Sequence, residues 1–210
     1  FYVVYTDDDK VYLFAKYNLQ VGYRVTAYNQ YTGKYTKTKI SNPTGLQDST
    51  AIGARGTSET NPTFPFVGTD AFSTSAYWWS SSSNAMKTGT SHNYILESDE
   101  IYYVYNNGSN LYNYMTNYKT YLESLGVVID YVAPLSSSEL YYVACQYSSS
   151  CEGLPSWMYS TSYWLGSAHG DVMGAVFSGY GFSTLGDGAY AASELLGVRP
   201  AISIPRSMFN

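Results

Sequence analysis

The chain has 210 residues, an apolar share of 45% and a formal charge of −5, so it is long enough to bury one full core. An acidic chain without a basic stripe lacks the footprint that phosphate backbones require, and nucleic acid is not an expected partner. No stretch approaches the roughly 18–20 consecutive apolar residues of a membrane span.

The opening reads as strand, turn, strand. Phe1 to Tyr5 and Val11 to Ala15 are rich in β-formers, and Asp7-Asp8-Asp9 between them carries turn chemistry. From Tyr17 to Thr90 the sequence reads mostly as loop and short strand, punctuated by Asn42-Pro43, Asn61-Pro62 and Phe64-Pro65. Ile101 to Tyr105 is a strand candidate that Asn106-Asn107-Gly108 ends. A helix is predicted from an N-cap at Ser109 or Asn110. Leu111, Tyr114, Met115, Tyr118, Tyr121, Leu122 and Leu125 form its apolar stripe, and Gly126 closes it.

A strand over Val127 to Val132 should follow, then a second helix. Ser136 to Glu139 fits a capping box ahead of Leu140-Tyr141-Tyr142-Val143-Ala144. The last third alternates short strand candidates with Gly and Ser and ends in the apolar run Val198 to Ile204. Two helices among many short strands indicate a single α+β domain over 1–210 with small antiparallel sheets and long ordered loops. Residues 1–126 form the N-terminal part of its scaffold and 127–210 the C-terminal part.

Catalytic patterns are missing. No Gly-x-Ser-x-Gly elbow occurs, and Ser167 and His169 are too close in sequence to make a triad by themselves. Asp7-Asp8-Asp9 reads as a turn before it reads as a metal cluster. Glu97, Asp99 and Glu100 form a solvated acidic bend. His92 and His169 are isolated and show no ligand spacing. No enzyme activity, metal or cofactor is expected. Cys145 and Cys151 flank a short serine-rich loop that can bring their sulfurs together, which suits an oxidising setting; the alternative is two free thiols. Charged residues make up only 13% of the chain, and 25 tyrosines stand beside abundant Ser, Thr, Asn and Gly. That mixture suits binding through neutral, amphipathic contacts. Tyr also simply favours strands.

The tail carries a resemblance. Trp157-Met158-Tyr159-Ser160-Thr161-Ser162-Tyr163-Trp164-Leu165-Gly166-Ser167 opens a Gly-, Ser- and Ala-rich stretch that Gly197-Val198-Arg199-Pro200-Ala201-Ile202-Ser203-Ile204 closes. This pair resembles the variable proteins of diversity-generating retroelements and related C-type-lectin-like domains of gut bacteria, phages and archaeal viruses. The Cys145 to Cys151 loop and Pro155-Ser156-Trp157 extend the likeness over 127–204. Trp157, Trp164 and Arg199 read as scaffold, with Arg199 expected to pin loop carbonyls or a carboxylate.

The resemblance implies a C-type-lectin-like fold and a receptor-recognition role on a virion or cell surface, outside the cell. Its variable region would be 168–195. Errors in copying Asn codons yield the small, aromatic and Asp residues found there but never Met or Glu, so Met173 and Glu194 belong to the fixed set. The ligand, a protein or glycan on another cell, would meet His169, Asp171, Val172, Gly174, Phe177, Tyr180, Phe182, Ser183, Leu185, Asp187 and Tyr190. Trp157, Trp164, Met173, Val198 and Ile202 should lie buried beneath them. Calcium-dependent sugar binding is not expected, since Glu-Pro-Asn and Trp-Asn-Asp are both missing. The rival readings are a structural spike or pilus module and, remotely, a formylglycine-generating-like oxidase.

Overall fold

The computed structural model describes residues 1–32, 34–47, 66–67, 76–80, 85–89, 101–103, 109–136, 139–140, 156–158, 161–169, 172–176 and 196–209. In chain order the strands are β1 (Tyr2–Thr6), β2 (Lys10–Phe14), β3 (Gly22–Asn29), β4 (Lys34–Ile40), β5 (Phe66–Val67), β6 (Ala76–Ser80), β7 (Ala85–Gly89) and β8 (Ile101–Tyr103). Helix α1 (Asn110–Ser124) follows, then β9 (Tyr131–Ala133), β10 (Tyr163–His169), β11 (Val172–Val176) and β12 (Ala201–Pro205). One helix and three antiparallel sheets make this a mixed α+β architecture among the described residues.

The opening hairpin forms where the sequence places it. The Asp7 carboxylate accepts the backbone N–H groups of Asp9 (3.0 Å) and Lys10 (2.6 Å), so the acidic run is a turn. The Lys10 bond comes first among the causes that hold the Asp7 carboxyl below its usual range. The chain's two ends then meet. β12 pairs antiparallel with β2, Ile202 opposite Leu13 and Ile204 opposite Val11, in a sheet ordered β1-β2-β12-β9. Alternation gives this sheet two faces. Val11, Ile202, Ile204 and Val132 share one face, and their cluster includes Leu111, Tyr114, Met115 and Tyr118 of α1 with Trp164.

α1 starts at N-cap Ser109, whose hydroxyl accepts the Tyr112 N–H at 3.1 Å. It stops in a Schellman motif. Gly126 takes φ +83°, its N–H reaches Glu123 O (2.9 Å), and Val127 N–H reaches Leu122 O (3.2 Å). This corrects the expected strand from Val127. The helix cap uses the Val127 donor, and ladder pairing with β12 starts only at Tyr131. The capping box is present, with Glu139 N–H on Ser136 Oγ (3.1 Å) and Ser136 N–H on Glu139 Oε2 (2.8 Å). The body of the expected second helix lies outside the described residues.

A second correction concerns the segment expected to be mostly loop. β3 and β4 form a hairpin of eight and seven residues, and among the described residues β5 pairs with β3 at Tyr23 and Arg24. Arg24, Ala27, Asn29, Lys34, Thr36 and Thr38 are all exposed. The run Tyr23-Arg24-Val25-Thr26-Ala27 alternates apolar and polar residues, so β3 carries the signal of a strand, whereas the Lys- and Thr-rich β4 does not. The third sheet is ordered β11-β10-β8-β6-β7, with β11 at its edge.

Candidate functional site

Arg199 is fully buried and holds four backbone carbonyls from two remote loops. Its Nε donates to Ala15 O (2.7 Å), Nη1 to Met158 O (3.1 Å), and Nη2 to Lys16 O (2.6 Å) and Trp157 O (2.9 Å). Phe14, Tyr163 and Trp157 present their rings at 4.8, 4.9 and 5.2 Å from the guanidinium carbon. Of the two partners expected for Arg199, carbonyls or a carboxylate, these bonds all go to carbonyls. Burial pulls its pKa down to about 10, which leaves it charged at neutral pH. Burial also raises the Tyr163 phenol, which donates to Met158 O at 2.9 Å. The constellation ties loops together.

Beside this node the two flanks of the candidate variable region are clamped to each other. Trp164 N–H donates to Gly197 O (3.0 Å) and Gly197 N–H to Ser162 O (3.2 Å), a parallel bridge between Tyr163 and Gly197. Asn18 seals the stem, its Nδ2 donating to Thr161 Oγ1 (2.7 Å) and Ser162 O (3.2 Å). Leu19 N–H reaches Val198 O (2.7 Å) and Ala15 N–H reaches Pro200 O (2.9 Å), stapling the closing strand to the same N-terminal loop. Gly197 is required for this approach: a Cβ there would run into the Asn18 amide and come within 2.8 Å of Ser162 O.

Of the expected buried set, Trp164, Val198 and Ile202 are buried. Trp157 is only half-buried, because its ring stacks on Tyr2 of edge strand β1 (4.3 Å between centroids, 26°). Met173 pairs with Ala168 across the β10–β11 hairpin. Of the expected contact residues, His169 ends β10 and pairs with Val172 of β11, and Gly174 lies two residues further along β11. The segment thus begins as a hairpin, more regular than its Gly- and Ala-rich sequence implies. Asp171, Phe177, Tyr180, Phe182, Ser183, Leu185, Asp187 and Tyr190 lie outside the described residues, as do Cys145 and Cys151.

Sequence reasoning missed Asn18, and it found Gly197 only as the first residue of the closing motif, not as a contact. An Asn in a loop and a Gly before an apolar strand carry no local signal of a partner more than a hundred residues away. Among the described residues no three His, Cys, Asp or Glu side chains are grouped to hold a metal, and no helix is long and apolar enough to cross a membrane. A scan against protein-family models, a search of curated proteins and a search of solved structures each return no match to this chain.

Proposed function

We propose that this chain is a non-catalytic recognition domain with a C-type-lectin-like fold that displays 168–195 to a protein or glycan on another cell. It is read as a retroelement-diversified variable protein of a virion or prokaryotic surface. The observation that carries the reading is the closed stem: Ser162, Tyr163 and Trp164 are bonded to Gly197, while Asn18 and Arg199 lock both flanks to the N-terminal loop. Sequence between such flanks can change without transmitting the change to the core, which is what a variable surface needs. Trp164, Leu165, Leu196 and Val198, each at most 1% exposed, anchor the excursion on either side. Rigid flanks also limit the entropy lost when a displayed surface binds.

The test compares Tyr180→Ala with Tyr190→Ala in one variant against Trp164→Ala in another. The tyrosine variant is expected to keep its melting temperature and lose binding to target cells. Trp164→Ala should cost about 3–5 kcal/mol and unfold much of the population. A tyrosine variant that melts as low as Trp164→Ala would show that 168–195 belongs to the core. A reverse-transcriptase gene beside a near-copy of the DNA for this segment would support diversification, and its absence from the neighbourhood would remove that part of the reading.

A further inference from the structure

The four-stranded sheet has a second face, opposite the one packed on α1. Its register sets Tyr5, Tyr12, Ser203 and Tyr131 side by side in one row, one residue from each strand. The next row on the same face is Tyr2, Phe14, Ala201 and Ala133. That second row is covered. Trp157 stacks on Tyr2 and lies 6.0 Å from Phe14, Tyr163 meets Phe14 edge-on at 5.9 Å, and Leu135 packs into the same cluster. Small residues in the sheet floor thus make room for rings above them. Over the Ser203 row the same arrangement opens instead into a recess of about 480 Å³.

The dimensions of this recess select its occupant. Strands lie about 4.8 Å apart, so Tyr12 and Tyr131, on either side of Ser203, are separated by roughly 9–10 Å. A ring stacked between two aromatic faces at about 3.5–4 Å from each needs some 7–8 Å. One ring fits, and Tyr5 adds a further aromatic wall beside Tyr12, its ring tilted by 46° at 5.5 Å. Among the described residues the edge of the recess is polar and net acidic. Lys10 and Asp130 pair at 3.4 Å, which leaves the Glu139 carboxylate in excess at a wall where Ser136 N–H already fixes one of its oxygens. The Tyr131 phenol, protonated at neutral pH as any tyrosine is, adds a donor to the lining.

Apolar stacking faces with hydrogen-bonding groups confined to the edge match a pyranose, whose C–H faces are apolar and whose hydroxyls project around its rim. The acidic excess disfavours uronic and sialic acids. We propose that the Tyr12–Ser203–Tyr131 slot binds one pyranose ring of a neutral or amino sugar, separately from the surface at 168–195.

The test applies the whole chain to a microarray of neutral, amino and acidic glycans and titrates the strongest hit by calorimetry. Binding confined to neutral or amino glycans is expected. Tyr131→Ala, at a position already 40% exposed, should weaken it by about tenfold. Ser203→Leu should fill the slot and abolish it; should that variant fail to fold, Tyr131→Ala decides alone. Tyr31→Ala at the exposed tip of the β3–β4 hairpin should change nothing, and neither should the Tyr180→Ala, Tyr190→Ala pair. Three results would overturn the proposal. They are no glycan signal sensitive to Tyr131→Ala, preference for acidic glycans, or a dimer in sedimentation that Tyr131→Ala dissociates, which would make a second copy the occupant.

Discussion

Gly197→Ala tests the stem at its tightest point. The new methyl group would occupy the place of the Asn18 amide and press on Ser162 O at 2.8 Å, so Asn18 must leave. Its two buried bonds, to Thr161 Oγ1 at 2.7 Å and Ser162 O at 3.2 Å, go with it. Each contributes about 0.5–1.5 kcal/mol, and overpacking adds about 1–3 kcal/mol. The stiffer unfolded chain returns about 0.4–1 kcal/mol. The net loss is roughly 1–6 kcal/mol, with a middle value of about 3, a drop in Tm of about 6–12 °C for a chain of this length. Differential scanning calorimetry measures it directly. Asn18→Ala in the Gly197→Ala background should recover part of the loss, since it removes the side chain that clashes. A Gly197→Ala variant that melts with the parent chain would refute the clamp.

Other outcomes follow from the same geometry. Arg199→Lys leaves a point charge where a planar fork held four carbonyls, and should cost roughly 3–5 kcal/mol in urea unfolding; a loss under about 1 kcal/mol would contradict its role. Ser109→Ala removes the cap on Tyr112 N–H and should cost about 1 kcal/mol by the same measurement. Burial first, and Tyr121 beside it, push the Tyr118 phenol up to about 12, against about 10 in the unfolded chain. The folded state therefore holds a proton that the unfolded state gives up. The resulting stability is full below about pH 10 and lost as pH rises toward 12, and Tyr118→Phe should flatten that fall in a Tm-versus-pH series. Cys145 and Cys151 should resist alkylation until reduced, and two alkylated thiols in the unreduced protein would rule out their disulfide.

What the sequence revealed follows the range of the forces involved. The Asp7 turn, the Ser109 cap, the Gly126 stop and the Ser136–Glu139 capping box each act within a few residues, and all four are legible in the chain. That both termini are apolar strands was legible, but which opening strand meets the last one was not; β2 does, with Leu13 opposite Ile202. The β3–β4 ribbon was legible only in part: Tyr23 to Ala27 alternates apolar and polar residues, but β4 is a run of Lys and Thr with no apolar face to mark it. The Asn18–Gly197 contact and the Tyr5–Tyr12–Ser203–Tyr131 row were hidden for a different reason. Each exists only once four strands or two distant loops are in register, and no residue in either advertises its neighbours. Arg199 sits between these cases. A lone cation in an apolar run signals a buried partner, but which carbonyls it holds depends on the fold.

The central claim is that 168–195 can vary while its flanks cannot. A surface-display library randomised at Phe177, Tyr180, Phe182, Ser183, Leu185, Asp187 and Tyr190, sorted for protease resistance and sequenced, tests it most directly. A second library randomised at Asn18, Trp164, Gly197 and Arg199 is the comparison. The account predicts that most members of the first library survive sorting with broad residue usage, while the second collapses to the parental residues. Collapse of the first library to its parental residues would contradict it.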